Sequence, residues 1–212
     1  MTAIGIATII GAYFIGGIPI GLLVGLAQGT DIRQYGSGNI GASNVLRTLG
    51  AKTGMAVWVA DVLKGWGPVY LLKYMLLSPG PWLAGAGLAA VLGHCFSPYL
   101  KLAGGRGVST SLGVLLALDW RVGLSGLVVW AVIVLVTRYI SLASISAAAS
   151  APVFFALYRN PSAYLAGGIG IALLVIIRHT PNIRRLITGT ETRIGEKGRK
   201  RSEGSGYHEP GR

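Results

Sequence analysis

Long apolar runs separated by short polar stretches make up most of the chain. They cover roughly 3–27, 53–76, 82–99, 107–118, 122–137, 143–157 and 162–178. Crossing a bilayer as a helix takes about 20 mainly apolar residues, so seven such runs use up most of the length. The pattern predicts an all-α, polytopic membrane protein with seven transmembrane helices, the fourth being the shortest. It leaves one membrane domain over 1–191 and a polar, basic tail over 192–212 that reads as disordered. Seven spans place the two termini on opposite sides.

Composition agrees. Of 212 residues, 52% are hydrophobic and 12% charged, where a soluble domain has about a quarter charged; the mean hydropathy is +0.60. No Lys, Arg, Asp or Glu precedes Asp31, so the positive start of a secretory signal is missing and the first run reads as a retained helix. Glycine, at 33 residues, is about twice as common as usual. Gly16, Gly17, Gly21, Gly25, Gly85, Gly87, Gly167, Gly168 and Gly170 lie inside apolar runs, where small residues let helices approach closely. The other glycines cluster in polar loops.

The net charge of +12 raises nucleic acid as a partner, but the cations are distributed among loops in the way that sets membrane orientation. Segments 28–52, 99–106, 138–142 and 178–212 would share one face, and they hold fifteen of the nineteen cations; Lys73, Arg121 and Arg159 lie opposite and Lys64 within a span. Positive residues favour the cytoplasm. The N-terminus is therefore expected outside, the C-terminus inside, and no nucleic-acid partner is expected.

Every unusual polar cluster falls on that inner face: "QYGSGNIGASNVLRTLG" (34–50), "GHCFSPYLKLAGGRGVST" (93–110), "RYISLAS" (138–144) and "RHTPNIRRLITGTE" (178–191). In the first, Gly36, Gly38 and Gly41 permit turns that can aim backbone N–H groups at an anion. Ser37, Asn39, Ser43 and Asn44 add donors there, and Arg47 adds charge. In the second, Gly104, Gly105 and Gly107 surround Arg106 where a helix begins, a setting that favours phosphate. The nucleotide P-loop pattern is absent. His179 and Asn182 follow the last span beside Arg178 and Arg184, and an imidazole suits proton handling near neutrality; Pro181 stops the helix there.

Ser141 and Ser144 start a helix, as caps or as substrate contacts. Asp61 and Lys64, three apart within the second span, fit either an internal ion pair or a functional pair. His94 reads as structural, and His208 in the tail carries no role. The lone Cys95 excludes an internal disulfide, and no metal-ligand spacing surrounds it. No G-x-S-x-G elbow and no H-E-x-x-H occurs. With only seven carboxylates a paired-carboxylate site is not expected, nor is any metal or cofactor.

In the order and spacing of these four motifs, residues 1 to about 191 resemble the PlsY glycerol-3-phosphate acyltransferases, small polytopic bacterial enzymes that use an acyl-phosphate donor. The resemblance implies transfer of an acyl group to the 1-hydroxyl of glycerol 3-phosphate, giving lysophosphatidic acid and phosphate, at the cytoplasmic face of the bacterial inner membrane. It implies that Ser37 and Arg47 lie in the site, that Gly104, Gly105, Arg106 and Gly107 bind glycerol 3-phosphate, that Ser144, His179 and Asn182 are site residues, and that Glu191 closes the last motif. Arg106 stands where that family usually has Lys, Ser43 where Thr is common and Ser109 where Ala is common. The expected partners are glycerol 3-phosphate, a long-chain acyl phosphate and membrane lipid. A transporter of a small anionic metabolite could also gather cations at broken helices, but it would need access from both faces, and the outer loops are short.

Overall fold

The computed structural model describes residues 2–74 and 80–195. The expected end of the second span at 75–76 lies outside these residues, as do most of the tail (196–212) and His208 with it. Among the described residues there are ten α-helices: α1 (Thr2–Gly17), α2 (Ile20–Ala27), α3 (Ala42–Leu49), α4 (Ala51–Tyr74), α5 (Gly80–Cys95), α6 (Val108–Leu118), α7 (Trp120–Thr137), α8 (Ile140–Leu157), α9 (Ser162–Arg178) and α10 (Thr180–Ile187). No strand occurs among them.

The polar interruptions bend the apolar runs more than the hydrophobic pattern suggests. The first run, expected as a single helix, breaks at Pro19, which lacks the N–H that would continue the ladder. The carbonyls freed at such a break need donors in an apolar surround. Ser97 Oγ donates to Gly17 O at 2.6 Å, and Lys64 Nζ donates to Ile18 O at 2.9 Å. Lys64 also lies 2.8 Å from Asp61 Oδ1. The ion pair is therefore internal, and it clamps the break in the first run.

Not every one of the seven runs is by itself an apolar helix of spanning length. Among the described residues four stretches, Ala3–Ala27, Gly80–Leu100, Trp120–Thr137 and Ile140–Leu157, are long and apolar enough to cross a membrane, and a fifth qualifies if α9 and α10, bent by 57°, count as one. The helix α4 has the length but carries Lys52, Asp61, Lys64 and Lys73. The helix α6 has 11 residues, about 17 Å of rise against a hydrocarbon core of about 30 Å. Nor is 34–50 all loop, because Ala42–Leu49 forms a helix. Pro181 sits in the first turn of α10 and so starts a helix as well as ending one. The helix α8 begins at Ile140, earlier than expected, with Tyr139 at its cap, so Ser141 and Ser144 do not cap it.

Close helix contacts rest on glycine. A methyl group at Gly16 would run into the Ala90 carbonyl and one at Gly93 into the Tyr13 carbonyl, which joins α1 to α5. Gly65 and Gly113 do the same reciprocally for α4 and α6, against Thr110 and Val62. The outer surface of α7 presents Val128, Val132, Leu135 and Val136, as a lipid-facing helix would. At one end of the bundle Trp66, Tyr70 and Tyr74 stack along α4, with centroids 4.1 and 4.5 Å apart. The four polar motifs gather at the other end.

Candidate active site

A polar cavity of about 100 Å³ is lined by Ser37, Asn39, Gly41, Asn44 and Arg47 from the first motif and by Arg106, Gly107 and Ser109 from the second. Ser141 and Ser144 come from the third and His179 and Glu191 from the fourth, while Asp61 and His94 reach it from α4 and α5. The four motifs thus meet in one place. Gly36, Gly38, Gly104, Gly105, Lys64 and Asn182 stand behind its wall and do not line it.

Several backbone donors of the glycine loops are engaged within the protein. Ser37 N–H donates to Asn44 Oδ1 at 2.9 Å and Gly41 N–H to Asn39 Oδ1 at 3.0 Å. Asn44 Nδ2 donates in turn to Ile32 O at 2.8 Å, which ties the loop to the turn preceding it. In the second motif, Gly104 and Gly105 donate to the Cys95 and His94 carbonyls. These glycines serve close approach: a Cβ at Gly104 would strike the His94 carbonyl, and one at Gly105 the His94 ring. Gly107 adopts φ +81°, a left-handed conformation that favours glycine, and starts α6. The loop carbonyls are held as well, since Arg178 donates to Gly105 O at 3.1 Å and to Gly104 O at 2.9 Å. With both sides of the loop fixed, Arg106 is aimed at the cavity.

Charge is concentrated there. Burial lowers the Arg106 pKa to about 10, Glu191 pulls it back up, and Arg185, Arg47 and Arg178 add to the lowering. It remains a cation at neutral pH. Burial works to raise the Glu191 carboxyl, but hydrogen bonds from Asn182 and Arg185 hold it below its usual value. Asn182 Nδ2 and Arg185 Nε grip its two oxygens at 2.6 and 2.7 Å.

His179, just past the end of α9, is buried. Its Nδ1 lies 2.7 Å from Val175 O, so in the neutral ring Nδ1–H donates and Nε2 is the acceptor. Burial lowers its pKa to about 4, opposed by the Val175 bond and helped by Arg106 and Arg178. Ser144 Oγ donates to Ile140 O at 2.8 Å and accepts from Trp130 Nε1 at 3.3 Å. Both sides of that hydroxyl are occupied.

Beyond Trp130 the polar cavity opens into an apolar one of about 310 Å³, running among α3, α4, α6, α7, α8 and α9. Ala42, Ser43, Trp58, Val108, Ser109, Trp130, Ile140 and Ser144 line both. The chain after α10 crosses this mouth. Ile194 is tied to the α7–α8 turn, its N–H donating to Arg138 O at 2.9 Å and its carbonyl accepting from the Arg138 side chain, Nη2, at 3.0 Å, and it joins the apolar lining.

The sequence reading missed Arg178, Arg185, Trp58, Trp130 and Ile194. The arginines flank His179 inside the last motif, and that adjacency was their only signal. Nothing local distinguishes a cavity-lining tryptophan from one facing lipid.

Comparison with known proteins agrees with this geometry. A family model described as glycerol-3-phosphate acyltransferase matches residues 6–189. A glycerol-3-phosphate acyltransferase of Trichlorobacter lovleyi is 48% identical over 92% of this chain and 99% of its own. That of Geotalea daltonii is 46% identical over 88% and 95%. Two crystal structures of PlsY (YgiH), an integral membrane glycerol 3-phosphate acyltransferase, superimpose well. The glycerol 3-phosphate form gives a TM-score of 0.86 at 41% identity, covering 90% of this chain and 96% of that one. The lysophosphatidic acid form gives 0.84 at 40% identity over 90% and 95%. The chain is a membrane acyltransferase and belongs to the glycerol-3-phosphate acyltransferase family.

Proposed function

We propose that this enzyme transfers an acyl group from a long-chain acyl phosphate to the 1-hydroxyl of glycerol 3-phosphate, releasing lysophosphatidic acid and inorganic phosphate. The observation that carries the reading is the continuity of a small cationic cavity with a larger apolar one, since acyl donor and product each pair an anionic head with a hydrocarbon tail. The relatives crystallised with glycerol 3-phosphate and with lysophosphatidic acid support both ends of it.

An acyl phosphate is already activated, so positioning and charge stabilisation can drive the step without a covalent serine. The glycerol hydroxyl oxygen attacks the acyl carbon, the bond to the phosphate oxygen breaks, and phosphate leaves with the electron pair. Arg47 and Arg106 hold the phosphates, the guanidinium being able to grip two oxygens at once, and the Ser37 hydroxyl donates to one of them. His179 Nε2 accepts a hydrogen bond from the attacking hydroxyl. A ring with a pKa near 4 is too weak a base to keep that proton at neutrality. A phosphate oxygen, whose second ionisation lies near 6, takes it instead.

Purified enzyme given glycerol 3-phosphate and palmitoyl phosphate should form lysophosphatidic acid without added metal or carrier protein. Product from acyl-CoA or acyl-carrier protein alone would show that the donor is wrong.

With α4 and α6 counted as spans that cover their polar or short stretches by packing on each other, the topology is seven spans in the bacterial inner membrane. The N-terminus is outside and the site cytoplasmic, as the charge distribution favours. A cysteine at Ser43 should resist an impermeant thiol reagent on intact cells, while one at Trp120 should react. The reverse pattern would invert the topology.

A further inference from the structure

The apolar cavity exists because two facing helices carry small residues. On α7 it is lined by Gly123, Gly126, Leu127 and Trp130, and on α8 by Ser144, Ala147, Ala148 and Ala151. The hydrogen bond from Trp130 to Ser144 marks the head end, where the polar cavity joins. Gly126 lies four residues along α7 from Trp130, about 6 Å deeper, and Gly123 seven residues, about 10 Å deeper.

Glycine inside a helix is destabilising by up to about 1 kcal/mol relative to alanine, so each of these glycines calls for a reason. Gly123 has one in packing, since a Cβ there would lie 2.6 Å from the Leu116 side chain and 2.9 Å from its backbone nitrogen. Gly54, which also lines the cavity, would meet Leu46 Cα at 2.7 Å. Gly126 is different, because a Cβ there meets nothing closer than the Ala147 carbonyl at 3.9 Å. No neighbouring backbone needs this glycine, and it is buried. What its missing side chain leaves is empty space, halfway along the cavity.

We propose that Gly126 sets the length of the acyl chain the enzyme accepts, by keeping open the apolar cavity beyond its mouth. This rests on the acyl-transfer reading above. A side chain at this position would fill the channel between the head end and its deep end at Gly123 and Ala151. Chains reaching past it would be excluded, while short chains and the glycerol 3-phosphate subsite would be untouched.

The test compares Gly126→Leu with wild type on hexanoyl, decanoyl and palmitoyl phosphate, taking kcat/KM for each. Palmitoyl transfer should fall about tenfold or more, the scale on which apolar pockets discriminate chain size. Hexanoyl transfer and the KM for glycerol 3-phosphate should stay within about twofold. Gly126→Ala should fold normally and shift the same series only slightly. An equal loss at every chain length, or undiminished palmitoyl transfer, would overturn the proposal. Should Gly126→Leu not fold, Gly126→Val carries the same comparison; if neither folds, the space is not there and the proposal fails. If the wild type uses none of the three donors, the donor assignment is what has failed. Thermal shifts with hexanoyl, decanoyl and palmitoyl lysophosphatidic acid would then still show whether the leucine variant loses the longest ligand selectively, and binding equal to wild type would overturn the proposal there too.

Discussion

The two ends of the helix bundle treat charge in opposite ways. At the aromatic end, Lys73 donates to the last carbonyls of α6, Ala117 O and Leu118 O, at 3.0 and 2.8 Å. Arg121 pairs with Asp119 at 2.7 Å, and Asn160 Nδ2 reaches the same carboxylate at 2.8 Å. Each charge there finishes a helix end or joins two loops. At the cavity end, Arg47, Arg178, Arg185 and Glu191 all act on Arg106, while Asp61 is taken by Lys64. Crowding like charges is destabilising, and the neighbouring arginines add to the lowering that burial imposes on the Arg106 pKa. Charge matched to charge holds helices together, whereas cations gathered in excess around a cavity are balanced when an anion arrives.

That contrast sets the order of expected effects. The largest belong to the groups at the reacting atoms. His179→Ala and Ser37→Ala should each lower kcat about a hundredfold or more, the scale of losing a preorganised hydrogen bond at the transition state, with folded yield preserved. Because burial holds His179 to about 4, its protonation should not shape the rate between pH 5.5 and 8. Activity owed to the neutral ring should fall only as pH drops toward 4. The same shift has a stability consequence: the folded-state pKa lies below the unfolded one, so the ring's contribution is complete above about 6.5 and is lost as pH falls from there toward 4. A rate inflection near neutrality that vanishes in His179→Ala would show that the ring takes the proton after all.

Next comes Arg106. Arg106→Ala removes one of the gathered cations and should cost about 1.5–3 kcal/mol, the range for a hydrogen bond to a charged group, or one to two orders of magnitude in kcat/KM for glycerol 3-phosphate. Most of it should appear in that substrate's KM. Arg106→Lys keeps the charge without the fork and should retain substantial activity. Steady-state kinetics with each substrate varied in turn separates the cases, and an alanine variant with an unchanged glycerol 3-phosphate KM would remove Arg106 from the site.

Much of this was legible in the sequence where a residue type leaves few options. Arg106 among glycines, and His179 beside arginines at the end of a span, pointed to the cavity because ionisable side chains are costly in lipid unless they have work to do. The helical class followed from apolar run length. The break at Pro19 was visible as a proline, but not that Lys64 from another helix would cap it, because that contact spans 46 residues. The partners inside the first glycine loop could not be read for a related reason. Glycine signals freedom of φ, but whether a freed N–H meets a ligand or an asparagine side chain depends on where Asn39 and Asn44 fold back. The apolar cavity could not be read at all, since alanines and glycines at helical spacing look the same whether they pack against a neighbour or leave a void.

The smallest effect on activity, and the sharpest check on the comparison, should come from Asp119. This residue caps α7, its carboxylate accepting from Arg121 N–H at 2.9 Å. The Arg121 side-chain hydrogen bond holds its pKa down to about 2, burial opposes, and Asn160 adds to the lowering. Asp119→Ala should destabilise the enzyme by about 1 kcal/mol, the usual cost of a lost N-cap, seen as a lower Tm in detergent at pH 7. Because the folded-state pKa lies below the ordinary one of 3.8, the charge-dependent part of that contribution is fully present above about pH 4 and lost as pH falls toward 2. The Tm gap between wild type and variant should therefore narrow in acid. Asp119→Asn keeps an acceptor for the cap without the charge and should lie between the two. Acyl transfer by the folded variants should stay within about twofold of wild type, since the Asp119 side chain lines neither the polar cavity nor the apolar one. A tenfold loss of transfer in a variant with only slightly lowered Tm would mean that the two ends are coupled, and that charge at the aromatic end does more than hold helices together.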